Sequence, residues 1–220
     1  MDTRNGFVSA AKADFYRTLA RSFLAPVARD AAAVTLCGEL AVTLADLDQQ
    51  IGYGIGAELD ACQRALDAVG YPEDLQLLYA QTFLGPPRWQ GIGMPVLDGE
   101  RTRELEACYA SAGITMPEKL SVLADHLAVQ LAFLSRLYAE NARTPTPGRF
   151  IGRYPGRVVP ALLADIDTAG ARYVLGANPY LHLARILQIA FEFDGEGLGP
   201  PLPPAAHRER DMGNAKNSRQ

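Results

Sequence analysis

Glu118 to Ala142, EKLSVLADHLAVQLAFLSRLYAENA, is the longest periodic stretch of the chain. Leu123, Leu127, Leu131, Leu134 and Tyr138 recur at three- and four-residue intervals, the spacing that keeps side chains on one face of a helix. The stretch is read as one amphipathic helix, interrupted on its apolar side only by the polar pair Asp125-His126. Arg143-Thr-Pro-Thr-Pro-Gly148 follows it, and two prolines with a glycine forbid helix continuation. This linker divides a long N-terminal half from a shorter C-terminal one.

Helical spacing recurs on both sides of that centre. Before it, Ser9 can cap a helix carrying Phe15, Leu19 and Phe23, with Tyr16, Ala20 and Leu24 on the adjoining row, that runs until Pro26. Leu36, Leu40, Leu44 and Leu47 share a face over about 31–47, and Leu59, Cys62, Leu66 and Val69 share another. The glycine-rich Ile51 to Gly56 reads as a flexible connection between them. Pro72-Glu73-Asp74 opens a fourth helix, with proline at the first helical position and acids in the first turn, and Gly85-Pro86-Pro87 closes it. Arg88 to Gly99, with three glycines, a proline and the only tryptophan, reads as an extended loop of the length that often carries function. A helix spans about 100–112 with Gly113 as its cap.

Beyond the linker, 150–167 is helical with interruptions at Pro155 and Pro160, and 179–193 forms a last helix bearing Tyr180, Leu183, Leu187 and Phe191. Pro200 to Pro204 ends the fold, and 205–220 reads as a disordered tail of mixed charge. No segment alternates apolar and polar residues over strand length. The class is therefore all-α: a bundle of about eight or more helices, with an N-terminal bundle at 1–142, a hinge at 143–149 and completing helices at 150–204.

Composition narrows the function. A chain of 220 residues with 48% hydrophobic residues can bury a core without staples. Cys37, Cys62 and Cys108 stand apart with no zinc-ligand spacing and read as core residues. The N-terminus has no apolar run of signal-peptide length, and no stretch is long enough for a membrane span, so a cytoplasmic location is expected. A net charge of -4 and a pI near 5.4 argue against nucleic acid as the main partner.

Signatures of catalysis are absent: no phosphate-binding GxxxxGK, no GxSxG elbow, no HExxH, and no GxGxxG between strand and helix. Gly52-Tyr-Gly-Ile-Gly56 lacks the preceding strand and a basic residue. Asp125-His126 admits two readings. One is a polar spot in a groove that binds a peptide's backbone or its cationic side chains. The other is a buried carboxylate bracing a neighbouring helix, with His126 on the rim, and it is the one favoured by the residues alone. Tyr79, Phe83 and Trp89 flank the Leu84-Gly85-Pro86-Pro87 break, where aromatic residues can anchor a bound peptide. The four-residue spacing of Tyr79 and Phe83 is equally that of a core face. His182, inside the last apolar helix, reads as a satisfied core or boundary histidine.

Three segments, taken in order, resemble the TorD/DmsD/NarJ family of redox-enzyme maturation chaperones. Leu78-Tyr79-Ala-Gln-Thr-Phe83-Leu84-Gly85-Pro86 is similar to the family's Tyr-x-x-x-Phe-x-Gly-Pro helix end. Leu123-Ala-Asp125-His126-Leu127 is similar to its Glu-Pro-Asp-His-Leu, and Arg149-Phe150-Ile-Gly-Arg-Tyr154-Pro155-Gly-Arg-Val158 to its post-hinge helix. Tyr109-x-x-x-Gly113 and the helix from Pro179 extend the likeness. The sequence departs from the family at Leu123-Ala124 for Glu-Pro, at Tyr154-Pro155 for His-Leu, at Val158 for tryptophan, and at Met94 to Asp98 for the tract after the tryptophan loop. These departures suggest a divergent branch with its own client.

The resemblance implies a non-enzymatic chaperone. Its client is the apo catalytic subunit of a DMSO-reductase-type molybdoenzyme, often bound through its twin-arginine leader, and export is delayed until the molybdenum cofactor is inserted. It implies a partner-binding set of Tyr79, Phe83, Pro86, Trp89, Asp125, His126 and Arg149. No resident cofactor or metal is expected, and contact with GTP or molybdopterin is left open. Either a monomer or a dimer exchanging its halves at the hinge fits. The rivals are a regulatory scaffold for another partner and a nucleotide-hydrolysing enzyme built on Asp125 and His126.

Overall fold

The computed structural model describes residues 3–24, 31–69, 72–84, 97–114, 124–170 and 178–202. Among them are α1 (Thr3–Ser22), α2 (Ala31–Ile51), α3 (Gly56–Val69), α4 (Pro72–Tyr79), α5 (Gly99–Ser111), α6 (Leu127–Ala139), α7 (Pro147–Arg153), α8 (Pro155–Gly170) and α9 (Pro179–Asp194), and no strand. A single π-helical turn, Ala80–Leu84, continues α4. The all-α expectation holds, and no described helix is long and apolar enough to cross a membrane.

The centre is α1 lying along α6, with α2 beside α1 and α9 packed on α3 and α8. Phe15 and Leu19 of α1, Phe23 just past its end, and Leu127, Leu131 and Leu134 of α6 are all fully buried. Each such side chain contributes about 1.5–3 kcal/mol through lost apolar exposure, so this seam orders the bundle. The same core includes Phe150, Val158, Leu162, Leu183 and Leu187, and is therefore continuous across the proline linker.

Three expectations are corrected. Ser9 does not cap α1, which begins at Thr3; the polar residues ahead of the apolar face are themselves helical, and the Ser9 hydroxyl donates to the Tyr138 carbonyl at 2.8 Å. Asp125 and His126 do not lie inside a helix running from 118. Residues 115–123 fall outside the described set, Ala124 and Asp125 form a turn, and His126 is the N-cap of α6. The 51–56 connection is held rather than free: both Asp48 carboxylate oxygens accept backbone N–H groups, from Gly54 and Ile55, each at 3.0 Å. Gly52 and Gly54 supply the positive φ this turn requires, and Tyr53 and Ile55 point into the core.

Helix ends follow the local sequence closely. Thr146 caps α7 with Pro147 in its first turn, so helix resumes within the expected linker. Tyr154 separates α7 from α8 at φ -124°, ψ -85°, because the Pro155 ring disfavours helical geometry in the residue before it. Asn178 caps α9 by accepting from Tyr180 N–H at 3.0 Å, and its amide donates to Thr82 on the π-turn at 3.3 Å.

A polar knot ties the ends of the chain together. The Asp194 side chain, 1% exposed, accepts from Lys12 Nζ at 2.5 Å, Tyr16 Oη at 2.9 Å, Tyr138 Oη at 2.8 Å and Tyr53 Oη. Burial, reinforced by the Asp194 charge, pushes all three phenols well above the usual tyrosine range, so they stay protonated as donors.

Candidate partner-binding face

Tyr79 and Phe83 are buried, with ring centroids 4.9 Å apart, and both pack on Tyr180 of α9, at 5.7 and 5.0 Å. Phe23, just past the end of α1, closes the cluster. The Tyr79 hydroxyl donates to the Phe23 carbonyl at 3.2 Å, and burial raises its pKa. These two aromatic residues therefore form a buried stem at the end of α4 and its π-turn. Pro86 and Trp89 lie outside the described residues.

Asp125 holds the residue at which the described chain resumes, Leu97. Leu97 is buried, and its N–H donates to Asp125 Oδ2 at 3.2 Å. The Thr102 hydroxyl lies 3.4 Å from the same oxygen but also 3.0 Å from the Asp98 carbonyl, and has one proton to give. Asp125 is 5% exposed, and burial pushes its carboxyl above the ordinary range. Tyr109 of α5 fastens the turn, donating to the Ala124 carbonyl at 3.1 Å.

His126 Nδ1 accepts the Ala128 N–H at 3.2 Å, which leaves the ring proton on Nε2. Burial lowers the imidazole pKa, so the ring stays neutral and keeps its capping lone pair near pH 7. Beneath it, the fully buried Gln130 donates to the Asp125 carbonyl at 2.6 Å, while its Oε1 is a buried acceptor with no partner among the described residues.

Arg149 stands apart from Asp125. Its side chain is 79% exposed, 3.8 Å from Glu196, in a groove of about 540 Å³ between α5 and the segment after α9. Arg101 and Glu104 of α5 form one wall, and Arg153 and Arg157 rise from α7 and α8. Because α5 carries Thr102 toward Asp125 and Arg101 toward the groove, it is the element shared by both places. The predicted residues thus fall into an aromatic stem, an α6 cap and a separate arginine groove.

Sequence reasoning overlooked the groove. Its signal is the paired rows Gly148, Gly152, Gly156 and Arg149, Arg153, Arg157, each at four-residue spacing. The glycines let the 194–199 segment lie on α7 and α8: a Cβ on Gly152 would come 2.2 Å from the Glu196 carbonyl, and one on Gly148 2.8 Å from the Asp194 carbonyl. The backbone is tied there by Glu196 N–H to Gly148 O at 3.0 Å and Leu202 N–H to Arg157 O at 3.2 Å.

Residues 94–149 match the family model described as nitrate reductase delta subunit. Over this segment, 56 of the 220 residues, the chain is similar to that family. The matched stretch runs from the Leu97 anchor through α5, the Asp125 turn and α6 to Arg149. NarJ/TorD-type proteins mature molybdoenzymes and associate with their catalytic subunits; the family is one of chaperones, not enzymes. No curated protein matches the chain. The Asp125 carboxylate is engaged by Leu97 N–H and His126 Nδ1 by Ala128 N–H. His182 is satisfied, its Nδ1 lying 2.8 Å from Glu58 Oε2.

Proposed function

We propose that this chain is a cytoplasmic chaperone for one DMSO-reductase-type molybdoenzyme. It binds the apo catalytic subunit, including the twin-arginine leader, until the molybdenum cofactor is inserted, and then releases it for export. The supporting observation is that the family match covers α5, the Asp125 turn and α6, the unit in which Asp125 holds Leu97 N–H.

Within this reading Trp89 and Pro86 contact the apolar face of the client. Tyr79 and Phe83 hold the stem, and Asp125 with His126 holds the far flank. Asp125 works through the hydrogen bond to Leu97, since its carboxylate is buried and engaged; the leader's arginines are drawn by the net charge of -4. Arg149 offers an exposed guanidinium to the mature part of the client.

Affinity capture of the apo catalytic subunit from the same genome, with and without its leader, tests the reading. Wild-type chain should retain the subunit, Trp89→Ala should lose it, and Asp125→Asn should retain it while Asp125→Ala should not, because Asn still accepts from Leu97. Retention by none of the molybdoenzyme subunits of that genome would contradict the proposal.

A further inference from the structure

The arginine groove has a charge pattern that specifies its occupant. Three of its four guanidinium groups are paired: Arg101 with Asp98, Arg153 with Glu104 at 2.9 Å, and Arg149, loosely, with Glu196 at 3.8 Å. Arg157 has no carboxylate partner among the described residues. Its Nε donates to the Pro200 carbonyl at 2.9 Å, which fixes the guanidinium plane and leaves the two terminal nitrogens without a hydrogen-bond partner among the described residues. Burial, and then the like charge of Arg101, lowers its pKa, while the nearby charge of Asp98 acts the other way. Gly199 lies against it, where a Cβ would come 3.5 Å from Arg157 Cδ.

We propose that this groove binds an acidic segment of a partner protein, with one Asp or Glu carboxylate held by the two terminal nitrogens of Arg157. A planar carboxylate matches the guanidinium fork in a bidentate pair. The groove is lined by Arg101, Arg149, Arg153 and Arg157 against Glu100, Glu104 and Glu196, and this excess of one positive charge favours a monoanion over a phosphate dianion. The open length of the groove, walled by α5 and residues 196–200, suits an extended polypeptide. Glu100, unpaired on the rim among the described residues, opposes the anion and limits its affinity. The inference deepens the chaperone reading: this second contact recognises the mature body of the client, whereas the leader is basic.

The full chain is labelled at arginine Nε, and the Arg157 Nε–H resonance is followed by NMR during titration with acetyl-Gly-Glu-Gly-amide. Acetyl-Gly-Gln-Gly-amide and inorganic phosphate serve as comparisons. A saturable shift with the Glu peptide alone is expected, strengthened in Glu100→Gln. No shift, or a stronger one with phosphate, overturns the proposal. In parallel, binding of the apo catalytic subunit is measured for wild type, Arg157→Gln and Arg157→Lys, after circular dichroism shows each folded. Both variants should bind about tenfold more weakly, since lysine keeps the charge but loses the fork. Equal binding by all three sinks the groove while leaving the chaperone reading intact. A subunit bound by none sinks that client, and the peptide titration still decides the groove.

Discussion

Asp194 and Asp125 are both buried carboxylates, and their surroundings differ sharply. Asp194 accepts from a lysine and three phenols drawn from α1, the 51–56 turn and α6. Asp125 is held by the backbone N–H groups of Leu97 and of its own residue and by a share of one hydroxyl, and among the described residues it has no cation and the nearby Gln130 oxygen has no partner. Buried polar groups are ordinarily satisfied, so an under-satisfied cluster needs an explanation. In this chain the saturated carboxylate joins α1, the 51–56 turn and α6, and the lean one holds Leu97 ahead of α5. The two carboxylates lie at opposite ends of α6, Asp125 just ahead of its N-cap and Asp194 on Tyr138 in its last turn.

Substitutions sharpen that contrast. Asp194→Ala strands Lys12 and three buried hydroxyls, and should cost about 3–5 kcal/mol, measured by urea unfolding. Asp194→Asn, which still accepts, should cost less; an equal or smaller loss for Ala would break the comparison. Gly152→Ala drives a methyl into the Glu196 carbonyl, and overpacking of this kind should cost about 1–3 kcal/mol and narrow the arginine groove.

His126→Ala removes a helix cap and should cost about 1 kcal/mol. Its pH dependence has a defined sign. The folded imidazole has a lowered pKa, so its contribution is present above the unfolded value of about 6.5 and is lost as pH falls through the folded value. Wild type should therefore lose stability over that interval by more than His126→Ala does, as unfolding free energies at pH 7 and pH 5 would reveal.

The smallest effect is the most diagnostic. Asp125 has a raised pKa, so its ionisation opposes folding; that stability is full below the unfolded value of about 3.9 and is lost as pH rises through the folded one. Asp125→Asn should be at least as stable as wild type at pH 7, with the difference vanishing in acid. A marked loss at pH 7 would show that the charge itself holds Leu97.

Much of the bundle was legible because helical periodicity is local. The faces of α1, α3, α6 and α9, the proline at the start of α4 and the cap at Gly113 are each written within a few residues. The Asp194 knot was not, because its donors lie 56 to 182 residues away in sequence and no local pattern marks a hydroxyl as a partner. Asp125 and His126 were identified as a pair but placed inside a helix, since the apolar spacing of 123–138 runs through the turn without interruption. The arginine groove was written in the rows 148–156 and 149–157, yet its other walls come from α5 and the 196–200 segment, which only the fold brings together.

The account stands most directly on the metal content of the client. The molybdenum-to-protein ratio of the candidate catalytic subunit, purified from cells with the chaperone, without it, and with the Trp89→Ala form, should be near one only in the first case. A fully loaded subunit in cells lacking the chaperone, repeated for each molybdoenzyme of the genome, would contradict the maturation role.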